Sequence, residues 1–204
     1  MEGTKEQEAF YQDLDVIAGQ LARFQQENIP VLWRPFHEVE GTWFWWGRKG
    51  GKVAAELYKL MFDYYVNQKH LDNLLWVWSC PTKEGYPGDA YVDVVSWDIY
   101  LPEYEATDYQ KHVSEIAKLK LDIKSKEDYV QKQYEELIAN TSGNKVAALT
   151  EVGYNPDVKK LEQSHTPWAY YMTWSKEFCM DGVYNTVEKL KEMYDSDYSV
   201  KRTR

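Results

Sequence analysis

The chain has 204 residues, enough for one substantial core but fewer than the roughly 250 residues typical of a complete (β/α)8 barrel. Its formal net charge of −9 repels polyanions, so we expect no nucleic-acid partner. No apolar run approaches the ~18 residues of a membrane span, and the first residues lack the apolar segment of a signal peptide. We therefore expect a soluble chain with no membrane partner.

Apolar residues at helical spacing predict an amphipathic helix over residues 5–27, and Thr4 with Gln7 forms a capping-box pattern at its start. Its predicted inner face consists of Phe10, Leu14, Ile17, Leu21 and Phe24. Five short, nearly continuous apolar runs further along the chain predict buried strands. They are "IPVLWRPF" (29–36), "NLLWVWSC" (73–80), "VDVVSWDIY" (92–100), "KVAALTEVG" (145–153) and "WAYYMTWS" (168–175).

Helical spacing returns between and after these strands, and the alternation predicts an α/β fold with a parallel sheet. The helical positions are Leu57, Met61, Tyr64 and Tyr65; a segment capped by Ser125 and Asp128 with Val130, Tyr134, Leu137 and Ile138; and Val183, Val187, Leu190 and Met193. We interpret residues 1–204 as one domain, either an open sheet or a (β/α)8 barrel entered partway. The leading helix, which no strand precedes, favours the partial barrel.

The two cysteines, Cys80 and Cys179, lie far apart in sequence and outside any CxxC spacing. Free buried thiols are therefore favoured over a disulfide.

Chemically useful side chains follow several of the predicted strands. Glu38 and its neighbour His37 follow the first strand, Asp98 and Tyr100 end the third, and Glu151 ends the fourth. The carboxyl ends of parallel strands meet at one edge, so we expect these groups to face one mouth.

Two carboxylates at one mouth, Glu38 and Glu151, suit glycoside hydrolysis, which needs a proton donor and a second carboxylate to attack or to activate water. A separation of ~5–5.5 Å would make the enzyme retaining. The alternative is that each glutamate is simply solvated or caps a helix.

His37 belongs to "HEVEG", which is not the HExxH pattern of zinc proteases, so we expect no metal. It is better suited to hydrogen-bonding Glu38 or a substrate hydroxyl, the alternative being a packed structural histidine. The sequence has no GxSxG, P-loop or Rossmann pattern, so we also expect no cofactor.

The stretches "PVLWRPFHEVEGTWFWWG", "YPGDAYVDVVSWDIY" and "ALTEVGY" closely resemble glycoside hydrolase family 26, whose commonest members are endo-β-1,4-mannanases. The resemblance implies a retaining (β/α)8 TIM barrel with its acid/base after strand four and its nucleophile after strand seven. It further implies that this chain supplies strands four to eight with their helices, and that the first three strands are absent.

Carried over residue by residue, the resemblance implies that Glu38 is the acid/base and Glu151 the nucleophile. It implies that His37 hydrogen-bonds at the site and that Tyr100 contacts the nucleophile. Trp43 and Trp174 would stack on sugar rings, while Phe44, Trp45 and Trp46 anchor the loop beneath Trp43.

The predicted function is a mannan-cleaving hydrolase, or the catalytic portion of one, with β-mannan as the partner. One alternative is a truncated remnant that still binds polysaccharide but does not catalyse. Another is a xylan or mixed-linkage glucan hydrolase of the same family. Five strands would leave two open sheet edges, which predicts self-association or pairing with a complementing barrel fragment.

Overall fold

A computed structural model describes residues 3–41, 43–80, 82–100, 123–180, 182 and 185–201, with the backbone alone for 123–129, 177 and 180. The chain divides into two compact units, Met1–Val95 and Ser96–Arg204. The interpretation of one domain therefore stays a prediction, and each unit is described by itself.

The strands follow one another in the sheet in chain order, from β1 to β5. The first unit contains α1 (Lys5–Gln26), β1 (Val31–Trp33), α2 (Gly51–Asp63), a π-helical turn (Tyr64–Gln68) and β2 (Leu74–Ser79). The second contains α3 (Ile123–Ile138), β4 (Val146–Val152), α4 (Val158–Ser164), β5 (Trp168–Thr173), α5 (Glu177–Met180) and α6 (Val187–Asp195), and the unit boundary falls within β3 (Val94–Ile99).

All five predicted strands are present, and the α/β class is confirmed. β1 runs parallel to β2, and β4 runs parallel to β5. β2 and β4 are buried along nearly their whole length, as expected for strands covered on both faces. Among the residues that the structure describes, no helix is long and apolar enough to span a bilayer.

α1 begins as the sequence predicts. The Thr4 hydroxyl accepts the Gln7 amide, and the Gln7 side chain accepts the Gly3 amide, one residue before the usual capping-box partner. The predicted inner face is wrong in part, because Ile17 and Phe24 are exposed while Ala18 is buried. The helix is rotated so that a small residue meets the core.

The core of the first unit is aromatic. Tyr58 of α2 packs edge-on against Trp76 and Trp78 of β2, with ring centroids 5.5 and 4.9 Å apart. Tyr65, in the π-helical turn, is fully buried and donates to the Leu14 carbonyl of α1. Much of the aromatic surplus in this unit is therefore packing material.

In the second unit, α3 covers β4 and the start of β5. Leu137 is buried, and Tyr134 packs edge-on against Trp168 at 5.2 Å. The predicted cap at Ser125 is wrong because Ser125 lies inside the helix rather than before it. Val183, predicted for the last helix, lies outside the described residues.

Asn185 joins three segments of the second unit. It is 1% exposed; its Oδ1 accepts the Asn155 amide, and its Nδ2 donates to the carbonyls of Gly153 and Phe178. One side chain thus fixes the loop after β4 against α5.

We expect Asn185→Ala to lower the free energy of unfolding by about 2–4 kcal/mol, because it leaves an amide and two carbonyls without their partner. Urea unfolding measures the loss. Val187→Ala, at an exposed position two residues later, is the control and should change stability by no more than about 0.5 kcal/mol. A loss for Asn185→Ala as small as the control's would contradict this role.

Both cysteines are free, as predicted, but the expectation that both are buried is wrong for Cys179, which is exposed. Cys80 is buried beside Thr82, and burial raises the pKa of its thiol to about 11. The two thiols should therefore differ in reactivity.

We expect a disulfide reagent at pH 8 to modify Cys179 quickly and Cys80 only after unfolding, since the thiolate is the reactive form. Mass spectrometry of the native and denatured chain identifies the modified residue. Cys179→Ser should abolish the fast reaction, and a fast reaction that persists in this variant would contradict the assignment.

Candidate active site

The glutamate predicted as acid/base sits on unusual backbone. β1 ends at Trp33, and both Phe36 and Glu38 take positive φ angles, 53° and 52°, in the left-handed region that non-glycine residues rarely occupy. The Glu38 amide donates to the Ser79 carbonyl at the end of β2, 3.1 Å away. This bond anchors Glu38 beside the carboxyl ends of two parallel strands.

Trp43 contacts the carboxylate directly. Its indole Nε1 donates to Glu38 Oε2 at 2.8 Å, while its ring is 62% exposed. The ring lies over Gly41, where an added Cβ would come within 2.2 Å of it. Gly41 therefore allows the loop to place an exposed aromatic ring next to Glu38.

The remaining aromatics of the loop divide into two groups. Phe44 and Trp46 stack at 4.4 Å, both rings lie near His37, and Trp46 Nε1 donates to the His37 carbonyl at 2.8 Å. These two rings anchor the loop, as predicted. Trp45 fits this expectation less well, because its ring is 58% exposed, although it packs edge-on against Phe36 and Trp46.

In the second unit, Glu151 lies near the end of β4 and is only 5% exposed. Tyr100 donates its hydroxyl hydrogen bond to Glu151 Oε2 at 3.0 Å. The Tyr100 ring packs edge-on against Phe178, and a Cβ at Gly153 would collide with both rings. The absence of a side chain at Gly153 thus permits the packing that holds Tyr100 against the Glu151 carboxylate.

A second polar pair lies one residue earlier on β4. The buried Thr150 hydroxyl donates to Asp98 Oδ1 at 2.6 Å and lies 2.9 Å from the hydroxyl of Ser96. The sequence places Asp98 at a strand end, but no local pattern indicates its partner Thr150, because the two residues lie 52 positions apart.

Trp174 follows β5 directly. Its amide donates to the Val152 carbonyl at 2.9 Å, and the residue is 45% exposed. The Cys179 thiol lies 2.7 Å from the Trp174 carbonyl. Trp174 is therefore fixed through its backbone next to the strand that carries Glu151.

The structure groups the predicted site residues within their own units. In the first unit it places His37, Glu38 and Trp43 on one loop; in the second it joins Tyr100 to Glu151 and sets Trp174 beside the end of β4. Each set pairs a carboxylate with a hydrogen-bond donor and an exposed indole. Such a set can bind a sugar and act on it as acid, base or nucleophile.

Curated relatives resemble the chain over most of its length. A protein of Thermothelomyces thermophilus named mannan endo-1,4-beta-mannosidase is 36% identical over 91% of this chain, which covers 34% of that relative. Mannan endo-1,4-beta-mannosidase B of Piromyces sp is 32% identical over 95% of this chain and 29% of the relative. The chain thus spans about a third of the length of these proteins.

Solved structures resemble it in fold. A GH26-CBM35 beta-(1,4)-mannanase of Podospora anserina matches with a TM-score of 0.78 and 34% identity, over 96% of this chain and 39% of the other. A beta-mannanase from a symbiotic protist of the termite Reticulitermes speratus, solved with a gluco-manno-oligosaccharide, matches with a TM-score of 0.74 and 32% identity, over 98% and 56%.

The sequence model of one family, described as glycosyl hydrolase family 26, matches residues 1–127. That segment contains the whole loop from Arg34 to Gly47 with Glu38, and it also includes β3 and Tyr100. Because the match covers more than half of the chain and agrees with the relatives and solved structures, the chain belongs to glycosyl hydrolase family 26.

Proposed function

We propose that the chain carries the two catalytic carboxylates of a retaining hydrolase that cleaves β-1,4-mannan and works as part of a family 26 barrel. The observation that carries the proposal is the pairing of Tyr100 with Glu151. A carboxylate that is 5% exposed and receives a tyrosine hydrogen bond at 3.0 Å is held in one orientation. A nucleophile needs that restraint, because its attacking oxygen must line up with the anomeric carbon.

In the first step, a carboxylate oxygen of Glu151 attacks the anomeric carbon and the bond to the leaving sugar oxygen breaks. The product of this step is a covalent glycosyl ester on Glu151. The Tyr100 hydrogen bond keeps the carboxylate in place before attack and remains available to the ester.

Glu38 transfers the proton in both steps. As an acid it protonates the departing oxygen; as a carboxylate it then takes a proton from the water that hydrolyses the ester. The indole of Trp43, 2.8 Å from Oε2, holds the carboxyl group in position. The Glu38 backbone bond to Ser79 anchors the loop from below.

The exposed indoles would bind sugar. Trp43 and Trp174 are 62% and 45% exposed, and each lies beside the backbone that carries one of the two carboxylates. The C–H faces of sugars stack on such rings. His37 lies next to Glu38 with its ring against Phe44 and Trp46, so its imidazole can reach a substrate hydroxyl near the acid.

Mannan is the favoured substrate because the two relatives described above are named mannan endo-1,4-beta-mannosidases. The termite protist enzyme was solved with a gluco-manno-oligosaccharide, which supports a mixed glucose and mannose backbone as a second substrate. Both are β-linked hexose chains that would present the same ring faces to Trp43 and Trp174.

The proposal includes the position of the chain in the barrel. We assign β1 to β5 to strands four to eight, because Glu38 follows the first of them and Glu151 ends the fourth. Activity then depends on the remaining strands, supplied by a complementing barrel segment or, less completely, by self-association.

In an assembly that degrades mannan, we expect Glu151→Ala to lower kcat by at least about a thousandfold on every substrate, since the nucleophile is lost. Glu38→Ala should lower kcat/KM about 10²–10⁴-fold on mannan but little on an aryl mannoside, whose leaving group needs no proton. On that aryl substrate kcat should still fall, because Glu38 is also the base in the hydrolysis of the ester. The release of reducing sugar measures activity on mannan, and the absorbance of the released aryl group measures activity on the aryl mannoside.

Glu40→Gln and Glu162→Gln, at exposed carboxylates in the same two units, are the matched controls and should retain activity. Added azide separates the roles further. It should intercept the ester in Glu38→Ala and yield the β-azide, whereas direct displacement in Glu151→Ala yields the α-azide. The opposite stereochemistry, or a loss of kcat/KM in Glu38→Ala that is as large on the aryl mannoside as on mannan, would contradict the assignment.

For the chain alone, we expect little or no mannan hydrolysis, because two carboxylates need a cleft walled on all sides to hold their geometry. Light scattering coupled to an activity assay tests this directly. A monodisperse monomer that turns over mannan at roughly 1–10³ per second would contradict the dependence on further strands.

A further inference from the structure

One short polar stretch of the second unit has no part in the proposed catalytic site. It is "NTSGN", residues 140–144, which joins the end of α3 to the start of β4. Asn140, Thr141 and Ser142 form the pattern Asn-X-Ser/Thr with a middle residue other than proline, which is the acceptor pattern for N-linked glycans. Of the seven asparagines in the sequence, Asn140 alone begins this pattern.

The stretch forms a turn at the surface of the second unit. Residues 142–144 are exposed, and Asn140 and Thr141 are partly exposed. The Thr141 hydroxyl closes the turn, because it donates to the Ile138 carbonyl at 2.9 Å and accepts the Gly143 amide at 2.9 Å. Gly143 takes a φ of +89°, which favours glycine. The turn therefore explains the threonine and the glycine, whereas the acceptor pattern depends on Asn140 and Ser142.

The turn offers room for a glycan away from the proposed catalytic group. A glycan is bulky and hydrophilic, so it requires a site in contact with solvent, and the exposed residues 142–144 provide one. β4 begins at Val146 and carries Glu151 near its carboxyl end, so at about 3.3 Å per residue roughly 17 Å of strand separates the two. A glycan on Asn140 would leave the Glu151 end of β4 accessible to substrate.

We propose that Asn140 is an acceptor for an N-linked glycan in the exported protein. The inference rests on the proposed function for export, because a polysaccharide is too large to cross a cell membrane and its hydrolase must meet it outside the cell. The two residues that the pattern requires, Asn140 and Ser142, lie in one solvent-accessible turn.

The glycan donor is an oligosaccharide carried on a lipid diphosphate. Asn140 Nδ2 forms a bond to the anomeric carbon of the first sugar, and the bond from that carbon to the diphosphate oxygen breaks. The lipid diphosphate leaves with the electron pair of that bond, and the amide nitrogen gives up one proton. No oxidant or reductant takes part.

The test expresses the intact chain behind a cleavable secretory leader in a yeast, because the first residues of the chain lack the apolar segment of a signal peptide. Peptide mass spectrometry measures the glycan on Asn140. It also identifies the N-terminus left by leader cleavage, which shows that the chain entered the secretory compartment. We expect a processed chain with a glycan on Asn140, and an amidase that removes N-linked glycans should release it from the native chain without denaturation.

Four variants define the acceptor. Asn140→Gln removes the acceptor amide and Ser142→Ala removes the hydroxyl at an exposed position, so both should abolish the modification. Ser142→Thr keeps a hydroxyl and should retain the glycan. Asn144→Gln is the matched control, because Asn144 is exposed in the same turn but is followed two residues later by Val146, and this variant should be modified normally.

An unmodified Asn140 in a chain whose leader has been cleaved would overturn the inference. A glycan that persists in Ser142→Ala, or one that the amidase releases only after denaturation, would do the same. None of these measurements uses mannan. A glycosylated chain without hydrolytic activity in a complemented barrel would therefore contradict the proposed function alone, and an active but unmodified chain would contradict this inference alone.

Discussion

The burial of one carboxylate constrains the second unit more than any other feature. Removing a carboxyl group from water costs several kcal/mol unless hydrogen bonds replace the lost hydration. Tyr100 supplies one such bond to Glu151, and it can approach only because position 153 has no side chain. Asn185 in turn fixes the carbonyl of Gly153. The hydrogen bonds of Tyr100 and Asn185 thus stabilise the part of β4 that carries a carboxylate which an apolar core would otherwise exclude.

The first unit solves a different problem, because its carboxylate lies on a loop. Hydrophobic packing holds this loop in place. Phe44 and Trp46 stack on each other, and the Trp43 ring lies over Gly41 and donates a hydrogen bond to Glu38. A loop built from small polar residues would lack the contact area to hold a strained backbone. The aromatic run after the glutamate therefore has a structural explanation, and the proposed function adds sugar binding at Trp43.

Much of this could be predicted from the sequence, and the limits have physical causes. Strands such as β2 and β4 were recognisable because burial on both faces produces continuous apolar runs. The rotation of α1 was not, since the core decides whether Ile17 or Ala18 turns inward. A run of aromatic residues also does not indicate which ring is exposed, and here Trp45 is exposed. The position of Asn185, 32 residues from Gly153, leaves no local pattern at all.

The left-handed backbone at Glu38 affects which substitutions this position favours. Glycine or asparagine occupies that conformation more easily, whereas glutamate does so at a cost of order 1 kcal/mol. Selection for thermal tolerance alone would therefore favour replacing this residue, and with it the group that we propose transfers the proton. Stability and activity are opposed at this position, so a search for hardier variants should hold residue 38 constant and seek its gains elsewhere.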